Sequence, residues 1–421
     1  MSGKHFFERA SWTLLDQCVV SGGNFLLNVL LARELSQHDY GKFALFLGAI
    51  FFLRAIDYSI ISYPLSVRLC VAHDDERAGL LGKTSLLAAT LSLVLVAVMA
   101  IGAALLEKDI VLPACLCCLC WQAQETMRRC LLADFRYRAA VAGDGIAYVG
   151  QALMIALVAR LDGGITLPDA LYMMSATFAI GAVVHASKLR FAWPPLTELG
   201  ALAREYFSVG KWSIVNYELV LVRAQIFPWI LAATTGTAGT ASLQAGLNIA
   251  NVMNPIIFGI GNAIPQVASH AHRSEGVIGA WRSAFGYVLF GLGPILLMCA
   301  VAVLMPDLLL RMAYGPSSPY LAAAVSLQLL AIAGVLDYIA EMISKTLLGV
   351  QAGKVAFAVN VVAVGVATAL AFALIGQFGV IGACAALLIA NLVRMIGGVI
   401  AIAMLTASER SRKQFQHASS S

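Results

Sequence analysis

Long apolar runs separated by short polar segments set the pattern of this chain. Twelve such runs are evident, near 11–32, 43–63, 80–106, 110–131, 141–160 and 169–189, then 207–232, 240–262, 283–305, 320–346, 355–375 and 379–405. Runs of roughly 18 to 25 apolar residues are long enough to cross a bilayer core. The pattern also repeats about 200 residues on. Trp12 opens the first run and Trp212 the seventh, and Pro64 maps onto Pro265. Polar segments follow in both halves, His73-Asp74-Asp75-Glu76-Arg77 and His272-Arg273-Ser274-Glu275. The expectation is an all-α polytopic membrane protein with twelve transmembrane helices. An even number of spans per half makes the halves parallel six-helix lobes, placing any substrate path in a central cavity between them, a layout common among secondary transporters.

Composition excludes a soluble fold. Of 421 residues, 60% are hydrophobic and 12% charged, with a mean hydropathy of +0.83; a water-soluble domain could not cover that much apolar surface with so few charges. Most Lys and Arg residues fall on one set of loops and tails, from Lys4 and Arg9 through Arg128, Arg129 and Arg136 to Arg410 and Lys413. The opposite loops carry only Arg33, Lys42, Lys108, Arg160 and Arg311. The positive-inside rule therefore predicts that both termini are cytoplasmic. The net charge of +5 reflects this topology and gives no reason to expect a nucleic-acid partner. The first apolar run continues into a span, so no cleavable signal peptide is expected.

The segment around Pro194-Pro195 reads as a cytoplasmic linker. The predicted organisation is an amino-terminal lobe at 1–192, the linker at 193–205, a carboxy-terminal lobe at 206–406 and a disordered cytoplasmic tail at 407–421. Gly82-Lys83-Thr84 resembles the end of a phosphate-binding loop, but Arg77 stands where the first glycine is required. Cys115, Cys117, Cys118 and Cys120 spread around a helix and cannot converge on one ion, and His270-Ala271-His272 reads as a solvated loop. No cofactor, metal or catalytic constellation is expected.

Ionisable groups within spans cost several kcal/mol unless they meet a partner or a wet cavity, so they are the candidate functional residues. Asp16, Asn24 and Asn28 share one face of the first helix. Arg54 and Asp57 are spaced to pair along the second. Asn216 and Arg223 lie in the seventh, while Gln244, Asn248 and Asn251 form a polar stripe on the eighth. The repeat maps Glu125 onto Glu341 and Arg129 onto Lys345, so an acid precedes a base by four residues in both halves. These pairs fit either a cytoplasmic gate or structural ion pairs. The asparagines suit either substrate hydroxyls or neighbouring helices. A buried guanidinium needs an acceptor, so Arg54 and Arg223 fit an anion-attracting cavity or a structural pair. Asp16, Asp57 and Asp337 are the candidates for carrying a coupling ion, H+ or Na+. Cations and amides together favour a polar, anionic, sugar-like ligand.

The stretch Asn24-Phe25-Leu26-Leu27-Asn28-Val29-Leu30-Leu31-Ala32-Arg33-Glu34-Leu35, followed by Tyr40-Gly41-Lys42-Phe43-Ala44, resembles the opening of the polysaccharide-transport branch of the MATE-like flippase superfamily. Gly379-Val380-Ile381-Gly382-Ala383 is similar to a recurrent stretch of that family near its last span. The resemblance implies a non-enzymatic flippase of the O-antigen type. Such a protein moves a polyprenyl-diphosphate-linked oligosaccharide across the inner membrane by alternating access, with a polysaccharide polymerase as a possible partner. Two other readings stay open: a MATE-type exporter of drugs or organic cations with a carboxylate-dominated site, and a non-transport scaffold of a glycan-assembly complex.

Overall fold

In lipid, a spanning segment must satisfy its own backbone hydrogen bonds, which an α-helix does within one strand of chain. The computed structural model describes residues 3–69, 72–192 and 198–420. Its regular structure in those residues is helical throughout. The first helices are α1 (Gly3–Glu34), α2 (Gln37–Asp57), α3 (Tyr63–Leu69), α4 (Asp74–Leu106), α5 (Val111–Ala133), α6 (Tyr137–Asp144), α7 (Gln151–Asp162) and α8 (Leu167–Ala186). Then come α9 (Leu199–Thr235), α10 (Thr237–Ala250), α11 (Asn254–Leu304), α12 (Pro306–Tyr314), α13 (Ala324–Gly349) and α14 (Gly353–Ser420). Two π-helical turns, Tyr58–Ser62 and Gly145–Gly150, join α2 to α3 and α6 to α7 within single spans.

Among the described residues, nine stretches are long and apolar enough to cross a membrane. Two of them, Thr237–Leu304 with 68 residues and Gly353–Ser411 with 59, would extend about 100 and 90 Å as straight helices, about three bilayer cores each. Both are broken by a glycine. Gly276 (φ 72°, ψ −163°) and Gly379 (φ 54°, ψ −128°) adopt backbone angles that side-chain-bearing residues avoid. Each stretch therefore yields two helices. Together with α9, itself 37 residues long, they match the twelve helices read from the hydrophobic pattern.

Local sequence explains several ends. Ser36 accepts a hydrogen bond from the Asp39 N–H at the start of α2. Thr166 and Asp169 form a reciprocal capping box at the start of α8. Glu409 accepts from the Val277 N–H at 2.7 Å, capping the helix that restarts after Gly276.

The chain divides into two compact units, Met1–Leu221 and Val222–Ser421. In the first, Leu65, Leu69, Leu131 and Tyr206 are fully buried together. In the second, small residues let helices approach closely: Ala367, Ala371, Ala383, Ala386 and Ala390 pack around Leu231 and Leu330.

Three local expectations are corrected. Residues 199–205, read as linker, open helix α9, while 193–197 lie outside the described residues. The polar tail is helical to Ser420, consistent with its run of Glu, Arg, Lys and Gln, all good helix formers. His270 and His272 lie within α11, because the helix persists until Gly276.

Candidate functional site

The first unit contains a buried ionic cluster built on α5. Helical spacing puts Trp121, Glu125 and Arg128 on one side of α5, where α1, α2 and α6 approach it. The Arg128 guanidinium donates from Nε to Asp144 Oδ2 at 2.6 Å and from Nη2 to Asp16. Its Nη1 lies 3.5 Å from Glu125 Oε2. Glu125 also pairs with Arg54 Nη2 at 3.0 Å and with Arg129 Nε at 2.7 Å. Arg54 lies over the Trp121 ring, which stacks on Phe178, and Arg129 lies over Tyr58. Gln124 donates to Asp144 Oδ1 at 2.7 Å, and His185 reaches the Ala140 carbonyl at 2.9 Å. His185 fits there because residue 143 is glycine; a Cβ would sit 2.1 Å from its Nε2.

Arg54 was expected to pair with Asp57 along α2. The structure joins it to Glu125 of α5 instead, at 3.0 Å, with the guanidinium turned towards α5 over the Trp121 ring. Asp57 is left buried, with no ion pair or hydrogen bond among the described residues and Oδ1 unpartnered. It ends α2 at a π turn, and Asp144 ends α6 at the other. Four carboxylates (Asp16, Asp57, Glu125, Asp144) thus share this region with three guanidinium groups (Arg54, Arg128, Arg129).

The second unit has its own cluster on α9, α13 and α14. Asp337 Oδ1 accepts from Arg223 Nη1 at 3.0 Å and Arg394 Nη1 at 3.1 Å. Arg394 also donates to Glu341 and to Asn360 Oδ1, the latter at 2.8 Å. Arg223 donates to Asn391 Oδ1, and Asn391 in turn donates to the Ala333 carbonyl at 3.1 Å. Lys345 stands 3.4 Å from Glu341. Both acid-base pairs read from the repeat therefore form.

The predicted amides are partly assembled. Asn28 donates to the Asn24 carbonyl at 2.9 Å and accepts from Tyr40. Gln244 donates to Asn248 at 2.9 Å, and Asn248 faces the Tyr314 hydroxyl. Asn251 leaves that stripe. A 3-10 turn at Asn251–Met253 changes the helical register, and Asn251 is exposed. The Asn216 side chain lies outside the described residues.

Sequence reasoning passed over Asp144, Asn391 and Arg394, although all lie within predicted spans and met the criterion that selected Asp16. Arg128 was counted as a loop cation, being five residues from the end of α5. Its burial corrects that reading and shows that a charge near a helix end can turn inward to a partner.

No family profile and no curated protein sequence matches the chain. Solved structures do. An inward-facing multidrug resistance MATE family transporter of the MOP superfamily superposes with a TM-score of 0.69 at 16% identity, over 95% of this chain and 96% of its own. The lipid II flippase MurJ, in an inward closed conformation, gives 0.72 at 12% identity, over 94% and 87%. A MOP superfamily transporter from Pyrococcus furiosus Vc1 (DSM3638) gives 0.62 at 13% identity, over 94% of both chains. This chain has the MATE-like fold.

Proposed function

We propose that the protein is a flippase that moves a polyprenyl-diphosphate-linked oligosaccharide across the bacterial inner membrane by alternating access, supplying surface polysaccharide synthesis. The observation that carries this reading is the set of arginines fixed inside spanning helices, above all Arg223 and Arg394 converging on one carboxylate. Guanidinium groups held in a low-dielectric bundle suit phosphate oxygens, which they bind in pairs. The same fold serves a lipid II flippase. We assign the anionic head group to Arg54 and Arg223, and sugar hydroxyls to Asn24, Asn28, Asn216, Gln244, Asn248 and Asn251. Glu125–Arg129 and Glu341–Lys345 act as cytoplasmic latches. Of the three acids considered for the coupling ion, Asp57 fits best, because Asp16 and Asp337 are both held by arginines.

One observation favours a second reading. The buried cluster of the first unit holds four carboxylates against three guanidinium groups, a balance that suits an ion-coupled exporter of organic cations, and a multidrug transporter shares the fold. The deciding experiment is deletion of the gene in its bacterial host. Accumulated lipid-linked oligosaccharide with loss of surface polymer supports the flippase. Intact polymer with new sensitivity to cationic drugs supports the exporter.

A further inference from the structure

The members of the second cluster are held to very different degrees. Arg394 is fixed: its side chain is 3% exposed and is tied to Asp337, Glu341 and Asn360. Arg223, 13% exposed, is tied to Asp337 and Asn391. Asp337 is the open member, with 31% of its side chain exposed. One of its oxygens receives both guanidinium groups, which is how two arginines share an oxygen of a phosphate. Among the described residues of this cluster three cations, Arg223, Arg394 and Lys345, meet two acids, Asp337 and Glu341. An unmatched cation within spanning helices draws in a further anion. If the Asp337 carboxylate swung to its open side, both arginines would keep other anchors.

We propose that Arg223 and Arg394 form a binding site for the diphosphate group of a lipid-linked diphosphate diester, and that Asp337 occupies this site as an internal anion which the ligand displaces. The inference rests on the lipid-linked diphosphate reading above and deepens it. It adds Arg394 as the second cation and makes Asp337 a competitor for the ligand. The resident carboxylate keeps two guanidinium groups from facing each other bare. It also sets a threshold that singly charged anions do not pass, whereas a diphosphate brings more charge and more acceptor oxygens.

The test is equilibrium binding to the purified full-length protein in detergent, with geranylgeranyl diphosphate as the probe and geranylgeraniol and inorganic pyrophosphate as separate arms. The diphosphate should bind and the alcohol should not. Asp337→Asn should bind the diphosphate about tenfold more tightly, the scale of one charge-assisted hydrogen bond released from competition. Arg394→Gln and Arg223→Gln should each weaken binding by a similar factor. A gain of affinity cannot arise from a damaged fold, and Asp337→Ser provides an independent second variant. Unchanged or weaker binding in both Asp337 variants overturns the proposal. So does their failure to fold, which would make Asp337 a structural tie, and so does equal affinity for the alcohol. Pyrophosphate binding as tightly as the prenyl diphosphate would keep the site and assign it to a free anion. Tighter binding by Asp337→Asn alongside normal surface polymer in the deletion strain would likewise keep the site and remove the flippase reading.

Discussion

Arg128 shows how one residue can organise a membrane-embedded unit. Its guanidinium meets Asp16 of α1, Glu125 of its own helix and Asp144 of α6, and no other Arg or Lys touches Asp16 or Asp144 among the described residues, although the His185 ring stands 3.7 Å from Asp144. Removing one partner of a buried ion pair leaves the others charged in a medium that solvates them poorly. Arg128→Leu should therefore cost about 3–5 kcal/mol, read as a lower unfolding temperature of the purified protein. Arg128→Lys should recover only part of that loss, since a compact ammonium cannot present the planar fork that spans three carboxylates. An Arg128→Leu protein that unfolds at the wild-type temperature would show that the cluster does not hold α1, α5 and α6 together.

Individual helices are defined as much by their interruptions as by their apolar runs. The resemblance stretch Gly379-Val380-Ile381-Gly382-Ala383 has a concrete structural purpose: Gly379 takes φ 54° where one span ends and the next begins. Gly382 then lies so close to the Leu374 carbonyl that a Cβ would sit 2.3 Å from it. A branched side chain at Gly379 is strained whatever space surrounds it, by about 1–3 kcal/mol. Gly379→Val should accordingly lower thermal stability and membrane yield. Gly365→Ala, in open space on the same stretch, should be neutral or mildly stabilising. Equal loss in both variants would count against the backbone explanation. The π turns carry the same lesson on a smaller scale, since each follows a buried aspartate.

For the molecule as a whole, the outstanding property is orientation. The imbalance of Lys and Arg survives the removal of Arg128 from the loop tally, because the remaining cations of the richer set of loops still far outnumber those of the opposite set. Many of them also make local pairs. Arg77 meets Asp134, Lys83 meets Glu198, and Arg68 meets Glu205. Both termini should face the cytoplasm. Fluorescent-protein fusions to either end should glow, and alkaline-phosphatase fusions there should stay inactive, while the reverse result at one end would refute the predicted topology.

Much of the architecture was legible in the sequence because membrane insertion acts on local properties. Run length and hydropathy are read one segment at a time and yielded twelve helices, while the internal repeat and the four-residue spacing yielded the acid-before-base pairs Glu125–Arg129 and Glu341–Lys345. Partners between helices were not legible in that way. Arg54 lay one turn from Asp57, yet the structure gave it to Glu125 of α5. Arg128 looked like a loop cation and became the centre of a cluster, and Arg394 passed unnoticed until α13 and α14 brought it to Asp337 and Glu341. The physical reason is range. A lone charge in lipid is costly, so its position within a span calls for a partner or a wet cavity. Which partner it finds is decided by helix packing, which only the tertiary structure contains.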